Sequence, residues 1–94
     1  MSKVFSLNLL FDTLLSVIKM DLYYQNETLY VDIMDALDTK DYSQMETKIF
    51  RIIEDYGVSK IVIKNHNQAF HNRQFLRQMK QNYASKYVGE FVIR

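Results

Sequence analysis

Hydrophobic periodicities follow one another along this chain in the order (α)-ββαβαβ. That order predicts a small α/β domain with a mixed sheet and its helices mainly on one face. Three observations carry the expectation. Two short runs, the second of them alternating, flank a polar turn near Asn26. Two later stretches show helical spacing, and each ends at one of the chain's 2 glycines, Gly57 and Gly89. A short apolar, β-branched run follows each glycine. Strands joined through helices lie parallel with right-handed crossovers.

Residues 1–19 stand apart. Val4, Leu7, Phe11, Leu14 and Ile18 recur at spacings of three and four, and Phe5, Leu9, Leu10, Leu15 and Val17 widen that face. A helix apolar nearly all round has to be buried in protein or lipid. Asn8 and Asp12 interrupt it as a membrane span, and it has neither the basic start nor the cleavage pattern of a signal peptide. It reads as a docked helix, a partner-binding helix or an upstream extension, with Met20 as an alternative start of the module that follows.

The module, residues 20–94, opens with a hairpin: 21–25 (DLYYQ), a turn at Asn26–Glu27, then 29–34 (LYVDIM). In the second run Leu29, Val31 and Ile33 alternate with Tyr30, Asp32 and Met34. Thr39 or Asp41 is expected to cap the first helix. The inner face of that helix is Met45, Ile49, Ile52, Ile53 and Tyr56, with Gly57 as its stop. Residues 60–64 (KIVIK) form a buried strand, and 65–68 a polar loop. A second helix carries Phe75, Leu76, Met79, Tyr83 and Tyr87 inward and stops at Gly89, before a last strand at 90–94 (EFVIR).

Ninety-four residues make one domain with a modest core. No cysteine is present, which excludes disulfides and thiol chemistry and points to a reducing, cytoplasmic setting. The charges are divided along the chain. Between residues 20 and 57 the acids Asp21, Glu27, Asp32, Asp35, Asp38, Asp41, Glu46, Glu54 and Asp55 face only Lys40, Lys48 and Arg51. Between 58 and 94 the bases Lys60, Lys64, Arg73, Arg77, Lys80, Lys86 and Arg94 face only Glu90. An acidic half followed by a basic half either steers a charged partner or neutralises itself within the fold or across a homodimer.

Little catalytic chemistry is legible. His66 and His71, the 2 histidines, sit among the amides Asn65, Asn67, Gln68 and Asn72, with no nucleophile or further metal ligand beside them. Asp35, Asp38 and Asp41 lack the glycine and the bidentate glutamate of a calcium loop, and turn formation with helix capping accounts for them. No catalytic residue, metal or cofactor is expected. Arg73, Arg77, Lys80 and Lys86 lie on or near one side of the second helix, and a basic helix with nearby Tyr83 and Tyr87 is one means of holding a nucleic acid. Tyr23, Tyr24 and Tyr30 on the hairpin suit an interface.

Residues 19–65 resemble a STAS domain, the fold of anti-sigma-factor antagonists. The features that carry the resemblance are a hairpin ending in LYVDIMDALD, the segment TKDYSQMETKIFRIIEDYGVSK, the strand IVIKN, and a helix leading to a glycine and a strand. In that family a short Leu/Asp-rich loop joins the second strand to the first helix, a place filled here by ALDTKDY, with Ala36, Leu37 and Asp38 matching best. Two departures matter. The family's regulatory hydroxyl opens the second helix, where this chain has AFHNRQFL, with Asn72, Arg73 and Gln74 in the corresponding places. No hydroxyl lies between Lys60 and Tyr83, so a phosphorylation switch there is chemically impossible. The family also continues with a further helix after the fourth strand, whose covering role residues 1–19 are expected to take.

The resemblance implies a bacterial, regulatory, non-catalytic module that binds a protein partner, such as a regulatory kinase or anti-sigma-like protein. Recognition is expected from the loops 36–41 and 65–73 and the start of the second helix. The site residues are Asp38, Thr39, Asp41, Asn65, Asn67, Phe70, His71, Asn72, Arg73 and Arg77. A nucleic-acid-binding protein using the basic helix is the second reading, ahead of an enzyme and of a form held to a membrane by residues 1–19. Edge strands in so small a sheet also invite a homodimer.

Overall fold

A computed structural model describes residues 5–6 and 20–94. The elements are β1 (Phe5–Ser6), β2 (Met20–Gln25), β3 (Thr28–Ile33), α1 (Thr39–Asp55), β4 (Lys60–Asn65), α2 (Phe70–Lys86) and β5 (Glu90–Ile93). They form a mixed sheet in the order β1-β2-β3-β4-β5 with two helices. The helix expected over residues 1–19 is corrected at Phe5–Ser6, which pair antiparallel with Tyr24 and Tyr23 of β2. The rest of that expectation lies outside the described residues.

The hairpin forms because β2 and β3 alternate and because the turn residues accept positive φ. Asn26 has φ 53° and Glu27 φ 60°, the pair of left-handed residues that a two-residue turn matched to strand twist requires. Asparagine suits that conformation and glutamate does not. Tertiary contacts hold Glu27 there: its carbonyl accepts the Ser59 N–H at 2.8 Å and the Lys60 N–H at 3.3 Å.

Helix α1 starts at Thr39 because Asp38, rather than Thr39 or Asp41, is its cap. Asp38 Oδ1 accepts the Asp41 N–H at 2.7 Å, and Asp41 Oδ2 accepts the Asp38 N–H at 3.1 Å, a reciprocal capping box. The helix ends at Asp55 with Tyr56 as its C-cap, one residue short of Gly57. Likewise α2 ends at Lys86 with Tyr87 as its C-cap, so Gly89 does not stop the helix. With φ 148° it instead turns the chain into β5.

Strands β3, β4 and β5 are parallel neighbours, and right-handed crossovers bring both connecting helices to the same face. One apolar cluster results. Leu29, Val31 and Ile33 of β3 and Ile61 and Ile63 of β4 meet Met45, Ile49 and Ile52 of α1 and Leu76, Met79 and Tyr83 of α2. Phe75 and Tyr87, expected inside, pack at its margin. A polar chain spans the two helices. Tyr42 Oη donates to Glu46 Oε2 at 2.6 Å, Asn82 Nδ2 donates to the same oxygen at 2.8 Å, and Tyr87 Oη donates to Glu54 Oε2 at 2.6 Å.

Those phenols set an alkaline limit. Burial, then the Glu46 carboxylate, pushes the Tyr42 hydroxyl well above the ordinary tyrosine value, and burial alone raises Tyr83. Burial followed by the Glu54 hydrogen bond pushes Tyr87 up to about 12 from 10.0. A folded pKa above the unfolded one means a contribution complete below pH 10.0 and lost as pH rises through the folded value. The thermal midpoint is therefore expected to hold up to about pH 10 and to fall towards about pH 12. Tyr87→Phe should show a shallower fall, and an unchanged slope would take Tyr87 out of the effect.

Candidate functional site

The parallel strands β3 and β4 finish at the same end of the sheet, which brings the two connections into α1 and α2 together. The His66 N–H donates to the Ile33 carbonyl at 2.9 Å, setting the second connection beside the end of β3. Asn72, in the first turn of α2, then ties the connections to each other. Its Oδ1 accepts the Leu37 N–H at 2.7 Å, and its Nδ2 donates to the Asp35 carbonyl at 2.9 Å and to Asn65 Oδ1 at 3.4 Å. Asn72 is fully buried and Leu37 is buried above the core. A buried amide that satisfies groups on two loops is a rigid positioning device, because each unmade bond would leave a desolvated polar atom.

The remaining amides shape the loop from within. Asn65 Oδ1 also accepts the Asn67 N–H at 3.3 Å, and Asn67 Oδ1 accepts the Ala69 N–H at 2.9 Å. Asn65, Asn67 and Asn72 thus support the surface, and so do Asp38 and Asp41 through the α1 cap. Phe70, His71, Arg73, Arg77 and Thr39 remain outward, all exposed. Phe70 is 61% exposed, an unusual state for phenylalanine at the start of a helix. His71 lies between aromatic rings, 6.0 Å from Phe70 and 6.2 Å from Phe75, and Phe75 stacks on Tyr42 at 4.8 Å. Tyr42 and Phe75 line an open groove of about 490 Å³ with Thr39 and Arg77 at its sides.

Met34, 46% exposed just beyond β3, is a further apolar residue at this end. Its signal was present in the alternation of LYVDIM, which places Met34 on the side opposite Leu29, Val31 and Ile33. His66 Nε2 sits 3.4 Å from Asp32 Oδ1, an exposed pair. No group of three or more metal-ligating side chains occurs among the described residues. No helix among them is long and apolar enough to cross a membrane.

Fold and site together define a small mixed α/β domain with an apolar and basic surface at the helix-entry end of its sheet. No protein-family model, curated protein or solved structure matches the chain.

Proposed function

We propose that this chain is a non-catalytic, STAS-like protein-interaction module that binds its partner through the α1 and α2 entry loops and the first turns of α2. The observation that carries the reading is the exposure of Phe70 and Met34, at 61% and 46%, on loops held together by the buried Asn72. Large apolar side chains on a preorganised scaffold are the usual anchors of protein interfaces. The order β2-β3-α1-β4-α2-β5 and the buried Leu37 in the ALD segment support the STAS-like assignment. A regulatory kinase or anti-sigma-like protein is the class of partner it implies. With Asn72 where that family carries its hydroxyl, binding is constitutive or set by abundance.

Arg73, Arg77 and Lys80, all exposed and spaced along one strip of α2, favour a second reading in which the helix tracks a phosphate backbone. One experiment separates the two: capture from native-host lysate on immobilised full-length chain, with and without nuclease. A stoichiometric protein resistant to nuclease should be retained by wild type and lost about tenfold on Phe70→Glu. Equal retention by Phe70→Glu and Met34→Glu would remove this surface from the site. Recovery of nucleic acid, weakened steeply by salt and by Arg77→Glu, would favour the basic helix. Asp38→Ala is the wrong probe, since it removes the α1 cap.

A further inference from the structure

We propose that the outer edge of β5 is a self-association site, where β5 of a second copy of this chain pairs antiparallel about a two-fold axis at Val92. Strand β5 ends the sheet, and among the described residues β4 is the only strand paired with it. The backbone shows which of its groups are already committed. The Glu90 N–H donates to the Ser59 carbonyl at 3.1 Å, and the Arg94 N–H donates to the Ile63 carbonyl at 2.8 Å. The Arg94 carbonyl accepts the Asn65 N–H at 3.1 Å. Residues two apart on a strand turn their backbone groups the same way, so Glu90, Val92 and Arg94 face β4. The N–H and C=O groups of Phe91 and Ile93 point outward instead. Such a row of open donors and acceptors is a template for another strand.

Those outward groups restrict the register. In an antiparallel pair, residues directly opposite exchange both hydrogen bonds or neither. Phe91 and Ile93 can therefore face only other outward residues. Setting Phe91 opposite Ile93 of the other copy satisfies all of their backbone groups together. The side chains of EFVIR then agree at every level. Phe91 meets Ile93 on either side of the axis, Val92 meets Val92 on it, and Glu90 meets Arg94 at both ends. A shift of two residues in either direction sets Glu90 or Arg94 against Val92 and loses both ion pairs. The segment is thus complementary to itself in one register, in backbone, apolar contacts and charge together.

The surroundings of the edge suit this partner. Ile93 is 38% exposed, although the alternation of β5 places it on the same side as the buried Phe91. On that side an open groove of about 380 Å³ adjoins the edge, lined in part by Tyr83, Tyr87, Val88 and Phe91. Ile93 of the other copy, opposite Phe91, comes to this groove. Glu90 is exposed and only loosely held, 3.9 Å from Lys60 Nζ, and Arg94 is exposed as well. Pairing through a two-fold axis consumes the open edge of both copies, so the product is a closed dimer rather than a fibre. One pair of short strands makes a small interface, so association belongs in the micromolar range or weaker. The inference concerns the sheet edge rather than the entry loops, and it stands whether or not the proposed function does.

Sedimentation velocity of the full chain from about 1 µM to about 1 mM tests it. Wild type is expected to pass from monomer to dimer. The amides of Phe91 and Ile93 should exchange more slowly at the upper concentration, a signature that a dimer through any other surface would lack. Glu90→Arg and Arg94→Glu each set like charges together twice and should raise the dimer dissociation constant about 30-fold. An equimolar mixture of the two variants should dimerise again, since each supplies the charge that the other lacks. Ile93→Pro removes an outward N–H and leaves the β4 ladder intact, so it should abolish the dimer without changing any charge. Circular dichroism checks that every variant folds, and the charge pair decides the matter if the proline variant does not. Wild type that stays monomeric over the whole range overturns the inference. So does a dimer with unslowed exchange at Phe91 and Ile93, a mixture that stays monomeric, or dimerisation undiminished in both charge variants.

Discussion

Gly89→Ala is expected to destabilise the domain by about 4 kcal/mol, enough to unfold much of so small a protein under mild denaturation. Two costs combine. Gly89 has φ 148°, a conformation that side chains rarely adopt. A Cβ there would also strike Tyr83 Oη and come within 2.6 Å of the Ser59 carbonyl oxygen, which is backbone and has little room to move. That carbonyl already accepts the Glu90 N–H at 3.1 Å, so displacing it disturbs the start of β5. Tyr83 adds a second arm to the experiment. Its hydroxyl is buried without a hydrogen-bond partner among the described residues, so Tyr83→Phe should stabilise by about 1 kcal/mol. The double variant should recover part of the Gly89→Ala loss, because the hydroxyl clash goes while the Ser59 contact and the backbone strain stay. Urea midpoints of the four proteins measure all three terms. A Gly89→Ala loss below about 1 kcal/mol would mean that the turn into β5 relaxes freely.

Asn72→Ala is expected to cost about 3 kcal/mol and to loosen both entry loops at once. Truncation leaves the buried Leu37 N–H without its acceptor and the part-buried Asp35 carbonyl without its donor. The local signature is faster amide exchange at Leu37, which global destabilisation alone would not single out. Asn72→Asp keeps an acceptor for Leu37 but turns a carboxylate oxygen towards the Asp35 carbonyl, so it should be no better than alanine at neutral pH. Asn72→Ser supplies a hydroxyl that can bond one of these groups, yet serine is too short to reach all three partners. It should rescue only part of the loss. Partner capture should fall in all three variants although Asn72 is buried, because the loops that present Phe70 and Met34 depend on it. Full stability in Asn72→Ala would show that the loops hold their positions through backbone contacts alone.

Most of the fold was legible in the residues because its elements are set by local patterning. The short run DLYYQ and the alternation in LYVDIM mark β2 and β3, and the three-and-four spacing of Met45, Ile49, Ile52 and Ile53 produces the inner face of α1. The burial of Leu76, Met79 and Tyr83 follows the same rule. Asn72 obeys it too, four residues before Leu76, but polarity alone reads as exposure unless the hydrogen-bond partners are known. The α1 cap was ambiguous because Asp38, Thr39 and Asp41 can all accept an amide. Which one does so depends on where the chain leaves β3. The site was less legible still. Five of its ten residues, Asp38, Asp41, Asn65, Asn67 and Asn72, turn out to shape the loops, while Met34 was hidden inside a strand pattern.

The sequence by itself determined the order of strands and helices over residues 20–94, most of the inward residues and the split between an acidic and a basic half. All of these depend on periodicity and composition over a few turns of chain. Tertiary structure alone decided that Phe5 and Ser6 join β2, that Gly89 must leave room for Tyr83 and Ser59, and that Asn72 bridges Asp35, Leu37 and Asn65. It also decided that the divided charge would be laid out laterally across one sheet face. Each of these is a meeting of residues distant in sequence, and such meetings follow from strand order and crossover hand rather than from any local pattern.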